Sequence, residues 1–585
     1  MSSHPPNRLA PVVVACAALT LAGFVACAPK PPAAPTPAPD ALDVAEVAKT
    51  ISNAMDTSAD PCQDFYRYAC GGWVDSTELP SDQARWTRVG SVLQEKNKEA
   101  LHDLLEAPAA DTQGAAPAAA EEGGQLSRVF YGSCMDEAAV KAAGMAPLQP
   151  WLEQIDRAED LGALLQLAGE LHRRGIGSFL ESGVLPDFDD PTVYAFLYMQ
   201  GGLGLPERDY YLRDDDASQE LLDAYRAHVA KMLDLLGGVT DEDVSAASEA
   251  EATRIVDFET ELAKVSRPVA ELRDIERWNN KLSLAELHQL APKMPWEQLW
   301  QGAGFNPPET VTVAVPEFFK GLSKILADTE LATLRSYLRW QLIHGTAELL
   351  TPEVVAENFA FYGHRLAGQQ ENQVRWKRCV TATDEAVGED LGKLYVAKYF
   401  AGDSKKVAVD MIRGIESAFE ANLPQLSWMD ETTRQRALEK AEAIANKIGY
   451  PDKWRDYSAL ELVPGSYFTN ALAAQEFEYD RQHKRVGQPV DRSEWGMTPP
   501  TVNAYYNPLL NEMVFPAGIL QPPVFHRDFP MALNFGGIGA VMGHELTHGF
   551  DDSGRKFDAQ GLLREWWEPE VGERFDERAA CVRDL

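Results

Sequence analysis

The sequence predicts a mainly α-helical protein with a small β component (α+β), arranged as two lobes. Three observations carry this expectation. The chain has 585 residues, more than one simple hydrophobic core organises. From about residue 125 to 450 the apolar residues recur with the helical period. After about residue 498 the texture changes to short β-prone runs around turns, followed by a glycine-rich apolar stretch. Hydrophobic content of 45% and charged content of 24% describe an ordinary globular chain. A net charge of −35 argues against a nucleic-acid partner, because phosphate binding needs clustered Lys and Arg.

The chain opens MSSHPPNR, continues as an uncharged run from Leu9 to Ala26, and reaches Cys27. This has the parts of a secretory leader over residues 1–27. Val25-Ala26-Cys27 resembles a bacterial lipobox, in which Cys27 is lipidated and becomes the mature N-terminus; Phe24 stands where Leu is more usual. An uncleaved membrane anchor is the alternative, since the run is about long enough to span. Either way the body is expected to be exported, to the bacterial periplasm or cell envelope, touching membrane only through a lipid anchor or leader. Residues 28–56 form a Pro/Ala-rich tether, with six prolines between 28 and 41.

A mainly helical region is expected over 57–450, a connecting segment over 451–497 and a catalytic region over 498–585. Val89 to Leu105 has an amphipathic period, and the Ala/Gly/Pro-rich stretch 107–124 is expected as a surface loop. Further helices are expected over 126–143, 159–174, 217–236, 243–266, 328–347, 386–401, 405–422 and 430–447. Stops follow two of them, at Gly237-Gly238 and at Gly449 with Pro451. No P-loop, dinucleotide-binding glycine pattern or internal repeat is present. Beyond 498, Thr501 to Tyr506 and Asn511 to Pro516 flank a turn and predict a hairpin. An edge strand there could take a peptide as an added strand, with Asn503 bonding its backbone; an ordinary hairpin with Asn503 in a local turn is the alternative. Ala517 to Phe525 then supplies an apolar wall, so hairpin and wall together outline a substrate cleft.

The chemistry is concentrated in Ile538-Gly-Ala-Val-Met-Gly-His544-Glu545-Leu-Thr-His548-Gly-Phe-Asp-Asp552. Two histidines four apart on a helix present their imidazoles on one face, where both can bind one metal ion. Zn²⁺ suits nitrogen ligands, and a catalytic zinc keeps a position open for water. Glu545, beside the first histidine, can reach that water as general base. The motif alone also fits two surface histidines. An apolar stripe of Ile538, Val541, Met542 and Leu546 argues for a buried helix instead, and buried polar groups need partners that a metal would supply. Gly536, Gly537, Gly539 and Gly543 are expected to let this helix pack close to a neighbour. The chemistry implied is metal-assisted hydrolysis of a peptide bond.

These words, with Val502-Asn-Ala-Tyr-Tyr506, Val514 to Pro523, Gly536 to Gly539, Cys62 to Trp73 and Leu205 to Leu212, resemble the neprilysin-like (M13) zinc endopeptidases. The resemblance runs from about residue 57 to the end. It implies a two-lobed, largely helical fold around a cavity that admits short peptides, with a thermolysin-like zinc lobe, here incomplete. By this resemblance His544 and His548 bind one zinc per chain and Glu545 is the catalytic base. Asn503 and Ala504 hold the substrate backbone, while Ile519, Val524 and Val541 line the pocket for the apolar residue after the cut. Arg85 falls where the family grips a substrate carboxylate, with Arg88 as a close competitor. Cys134 pairs with Cys379. The family's third zinc ligand, the Glu of a Glu-x-x-x-Asp helix, and the partners of Cys62, Cys70 and Cys581 are expected beyond Leu585, so the chain is read as part of a longer enzyme. Glu568 is not assigned as a ligand, because Gly572 stands where the accompanying Asp would be. Two rivals remain at this stage: a catalytically inactive peptide-binding or surface protein, favoured by the missing ligand, and a structural-zinc helical protein, which would need a closed four-ligand set.

Overall fold

A computed structural model describes residues 44–107, 123–239 and 244–583. The leader, Cys27, the proline-rich start of the tether and most of the 107–124 stretch lie outside the described residues. The rest of the tether is not all extended: Val44–Ala54 is an α-helix, in a stretch that carries no proline.

Between Ile51 and Leu585 the chain forms one compact unit with two large hydrophobic cores. The first gathers residues from Leu148 to Phe361. Its helices include Leu161–His172, Asp216–Leu236, Ala246–Val265 and Leu331–Thr346, close to their predicted limits. They surround a four-stranded sheet that the dominant helical period concealed. Strands β1 (Leu180–Pro186) and β2 (Tyr194–Gln200) pair antiparallel, from Leu180 opposite Gln200 to Pro186 opposite Tyr194. Strand β3 (Lys281–Ser283) pairs antiparallel with β4 (Thr310–Val313), which runs parallel to β2. β2 reads Tyr-Ala-Phe-Leu-Tyr-Met-Gln, an aromatic run that suits a half-buried strand.

The second core is built mostly from the two ends of the described chain. Helices Gly90–Glu106 and Gln125–Met135 pack with Arg375–Tyr399, Ser404–Asn422 and Ile538–His548. The helix predicted over 126–143 breaks at Asp136, whose carboxylate caps a second helix, Glu137–Ala143. The helix predicted over 430–447 ends at Glu442, and Ala445–Gly449 is strand β5 instead. Its pairing with a buried strand outweighs the local helical period. That strand is β7 (Glu512–Pro516), buried along its whole length, with β5 parallel on one side and β6 (Tyr505–Asn507) antiparallel on the other. The predicted hairpin is therefore present, and β6 is the sheet edge. The stretch read as a connector contains a helix of its own, Tyr467–His483.

Cys134 and Cys379 are joined by a disulfide between helices Gln125–Met135 and Arg375–Tyr399. Cys62, Cys70 and Cys581 are free thiols in this structure.

The first core also encloses a carboxylate. Glu259 is fully buried and accepts hydrogen bonds from Tyr211 (2.7 Å), Tyr225 (2.9 Å) and Trp340 Nε1 (3.1 Å). Tyr211 belongs to the Leu205–Leu212 word, and its hydroxyl also accepts from the Leu205 amide at 2.9 Å. Burial pushes Glu259 from 4.5 up to about 7, against the pull of these donors. A folded-state carboxyl that holds its proton more tightly than the unfolded chain gives stability that is present below pH 4.5 and lost as the pH rises through 7. Unfolding free energies from urea titrations at pH 5 and pH 7.5 should therefore differ for the natural chain by about 2 kcal/mol more than for Glu259→Gln. Parallel pH dependences would show that Glu259 is not the source.

Candidate active site

The helix Ile538–His548 begins where Gly537 packs against the turn at Val524. A Cβ on Gly537 would lie 2.3 Å from the Val524 carbonyl oxygen, and the Ile538 amide donates to that same oxygen at 3.0 Å. Of the four glycines expected to allow close packing, Gly537 fulfils that role, and a Cβ on Gly539 would lie 3.2 Å from the Phe535 ring. Gly536 and Gly543 face open space, so their positions carry no packing demand. Ile538, Met542 and Leu546 are buried in the second core, with Val541 half-buried against it. The predicted stripe thus holds the helix down and turns His544 toward solvent.

His544 and His548 converge. Their Nε2 atoms are 3.0 Å apart, with ring planes at 80°. Two nitrogens on one tetrahedral Zn²⁺ stand about 3.3 Å apart at ordinary bond lengths, so the pair fits a shared metal ion. The Nδ1–H of His548 donates to Asp551 Oδ2 at 2.7 Å, which leaves Nε2 bare and directed to the shared point. Asp551 is fixed in turn through Oδ1, which accepts from the Ser553 and Gly554 amides at 2.9 and 2.7 Å. Among the described residues no third His, Cys, Asp or Glu joins the pair in a metal-binding group. Glu568 is engaged elsewhere, 3.4 Å from Arg436.

Glu545 is 5% exposed, beneath the histidines. Burial raises its pKa, while His544, His548 and the backbone N–H of Tyr506 favour its charged form. Tyr506 lies on edge strand β6, so the strand that could receive a substrate also holds the candidate base. The Tyr506 hydroxyl donates to Asn511 Oδ1 at 2.7 Å. Asn511 has φ of 45°, a left-handed backbone that Asn tolerates and that closes the turn into β7.

The remaining predicted residues divide. Ala504, Val524, Ile519 and Val541 all join the hydrophobic cluster that carries the helix. Asn503 is exposed just before β6. Arg85 is exposed between two helices and forms no ion pair with a described residue; nothing in the contacts ties it to the histidines. A cavity of about 660 Å³ runs beside β6, lined by Tyr505 and Asn507 on one side and by Val184 and Tyr194 of the first lobe on the other. His544, Glu545 and His548 do not line it. Sequence reasoning passed over Asp551, Tyr506 and Asn511. Asp551 carried a usable signal, a carboxylate three residues past a histidine at a helix exit; the other two act through contacts with residues distant in sequence that no spacing reveals.

Residues 61–451 match the sequence profile of the N-terminal part of Peptidase family M13, and 503–585 match the Peptidase family M13 profile itself. Endothelin-converting enzyme 1 of Mus musculus is 36% identical over 555 residues, covering 92% of this chain and 70% of the relative. Neprilysin-3 of Drosophila melanogaster is 33% identical over 565 residues, 91% of this chain and 70% of its own length. The crystal structure of Mycobacterium tuberculosis zinc metalloprotease Zmp1 with an inhibitor superposes with a TM-score of 0.83 at 35% identity, covering 90% of this chain and 78% of that one. PepO from Lactobacillus rhamnosis shares the fold, with a TM-score of 0.76 at 24% identity. The non-catalytic reading finds no support in these relationships, whereas the paired histidines and buried glutamate are the parts a zinc hydrolase needs. The chain belongs to peptidase family M13, whose fold and zinc-dependent peptidase character it shares.

Proposed function

We propose that the protein is a zinc endopeptidase that cuts short peptides on the amino side of apolar residues. The observation that carries this reading is the convergence of His544 and His548 beside a buried Glu545, near the edge strand β6. His544 and His548 would hold the zinc, and Asp551 would keep His548 in the tautomer that leaves Nε2 free. Bound there, zinc supplies Lewis acidity, polarising a carbonyl and making water more acidic. Glu545 takes the proton from the attacking water and returns it to the leaving amine.

The substrate backbone would extend β6, with Asn503 and Ala504 as its first contacts. Ile519, Val524 and Val541 offer an apolar pocket for the residue that follows the cut. Arg85, exposed and without an ion-pair partner among the described residues, would bind a free substrate carboxylate. The cavity beside β6 is bounded by the other lobe, which supports a preference for short chains over folded proteins. Lipid anchoring at Cys27 and residence in the cell envelope belong to the same proposal and rest on the leader sequence; among the described residues no helix is long and apolar enough to cross a membrane.

Glu545→Gln should keep the zinc affinity of the natural chain and lower kcat for a fluorogenic peptide by about 10²–10⁴-fold; undiminished cleavage would remove Glu545 from the chemistry. Val541→Phe should fill the pocket and shift the residue after the cut from large to small apolar side chains, by about tenfold in kcat/KM. Mass spectrometry of a digested peptide mixture reads this directly, and an unchanged cut pattern would place the pocket elsewhere. Arg85→Ala should raise KM for peptides with a free C-terminus and leave amidated ones unaffected. The same response from Arg88→Ala alone would transfer the role to Arg88.

A further inference from the structure

We propose that Lys440 is a positioning residue of this site, holding His548 and Glu545 in place through two separate hydrogen-bonded arms. The inference deepens the reading of His544, Glu545 and His548 as the catalytic group and rests on it. Lys440 lies on the helix Glu431–Glu442, far from the motif in sequence, and is 0% exposed.

The first arm starts at its ammonium. Nζ donates to the carbonyl oxygens of Gly549, Gly554 and Phe557 at 2.6, 2.7 and 2.6 Å. An ammonium has three hydrogens and no acceptor, so these carbonyls satisfy it completely. All three belong to the turn by which the chain leaves the helix Ile538–His548. That turn presents the Ser553 and Gly554 amides to Asp551, and Asp551 holds the Nδ1–H of His548. The turn is pressed against the candidate ligand itself: a Cβ on Gly554 would lie 1.8 Å from the His548 carbonyl oxygen.

The second arm starts at the Lys440 backbone. Its carbonyl accepts from Asn511 Nδ2 at 3.1 Å. Asn511 Oδ1 accepts from the Tyr506 hydroxyl at 2.7 Å, and the Tyr506 backbone N–H faces Glu545 and favours its charged form. One residue thereby stands behind both the candidate ligand and the candidate base.

A residue needed only to fill space here would be better apolar, because desolvating an ammonium is costly and a hydrophobic replacement of similar volume is often neutral or stabilising. Burial pushes this ammonium down to about 7, with Asp558 and Asp551 opposing. The rings of Tyr506, Phe550 and Trp566 lie 5.8, 5.5 and 5.6 Å from Nζ and keep water from competing for the three carbonyls. What the charge adds over a methyl group is direction.

The test compares the natural chain with Lys440→Met, which keeps the volume, and Lys440→Gln, which keeps two donors. The tautomer of His548 is read in metal-free protein by ¹⁵N NMR of histidine-labelled samples, with His548→Gln giving the assignment. Zinc affinity is read by chelator competition. In Lys440→Met the Nδ1–H form of His548 should lose its dominance, and the zinc Kd should weaken by about 10- to 100-fold. Lys440→Gln should fall between the two. A lowered melting temperature with natural tautomer and natural zinc Kd would overturn the proposal, leaving Lys440 a stability residue. Failure of both variants to fold would overturn it equally, by making Lys440 a folding residue. The tautomer is measured without metal or substrate, so a failure of the peptidase reading itself, such as cleavage indifferent to Glu545→Gln, is seen separately.

Discussion

Strand β7 is the constraint on which the site depends. All five of its residues are buried, and its backbone groups have no water to fall back on. They are satisfied by β5 on one edge and β6 on the other, and each such bond left unmade would cost about 1–3 kcal/mol. The pairing therefore fixes β6 in register, which sets where the Tyr506 amide points and where Glu545 rests. Even the polar residue at the head of β7 is bound in: Glu512 is 1% exposed and meets Lys447 of β5 at 2.7 Å. The second core then fills the space between this sheet and the helix that carries the histidines.

Each lobe also encloses a charged or chargeable group with a full set of partners, Glu259 in the first and Lys440 in the second. Neither is an economical way to gain stability, since desolvation offsets most of the attraction. Both have geometric effects that apolar packing would not give. Glu259 gathers three helices through Tyr211, Tyr225 and Trp340; Lys440 gathers a turn, a helix and a hairpin. Directional bonds of this kind select one arrangement among several that would bury similar area.

What could be read in advance follows from how local each signal is. Helices with an apolar stripe, such as Asp216–Leu236 and Ile538–His548, were legible because period and capping lie within the segment. The histidine pair and Glu545 were legible for the same reason. Strands β1 to β5 were not, because a short strand gains its stability from a partner far away in sequence, as Ala445–Gly449 does from Glu512–Pro516. Nothing in the sequence neighbourhood of Lys440 marks it as buried. Arg85 shows the opposite limit: resemblance singles it out, yet no contact in the fold distinguishes it from Arg88.

The Cys134–Cys379 bridge closes a loop of 245 residues. All of the first core, Leu148 to Phe361, lies inside that loop, and nearly all of the second lies outside it. The first lobe is thus a covalent ring hung from the rest of the chain at a single junction. Tension drawn along the chain from one side of the bridge to the other has its covalent path across the sulfur–sulfur bond, so it reaches the first lobe only through non-covalent contacts such as Arg173 with Asp480 and Lys556 with Asp274.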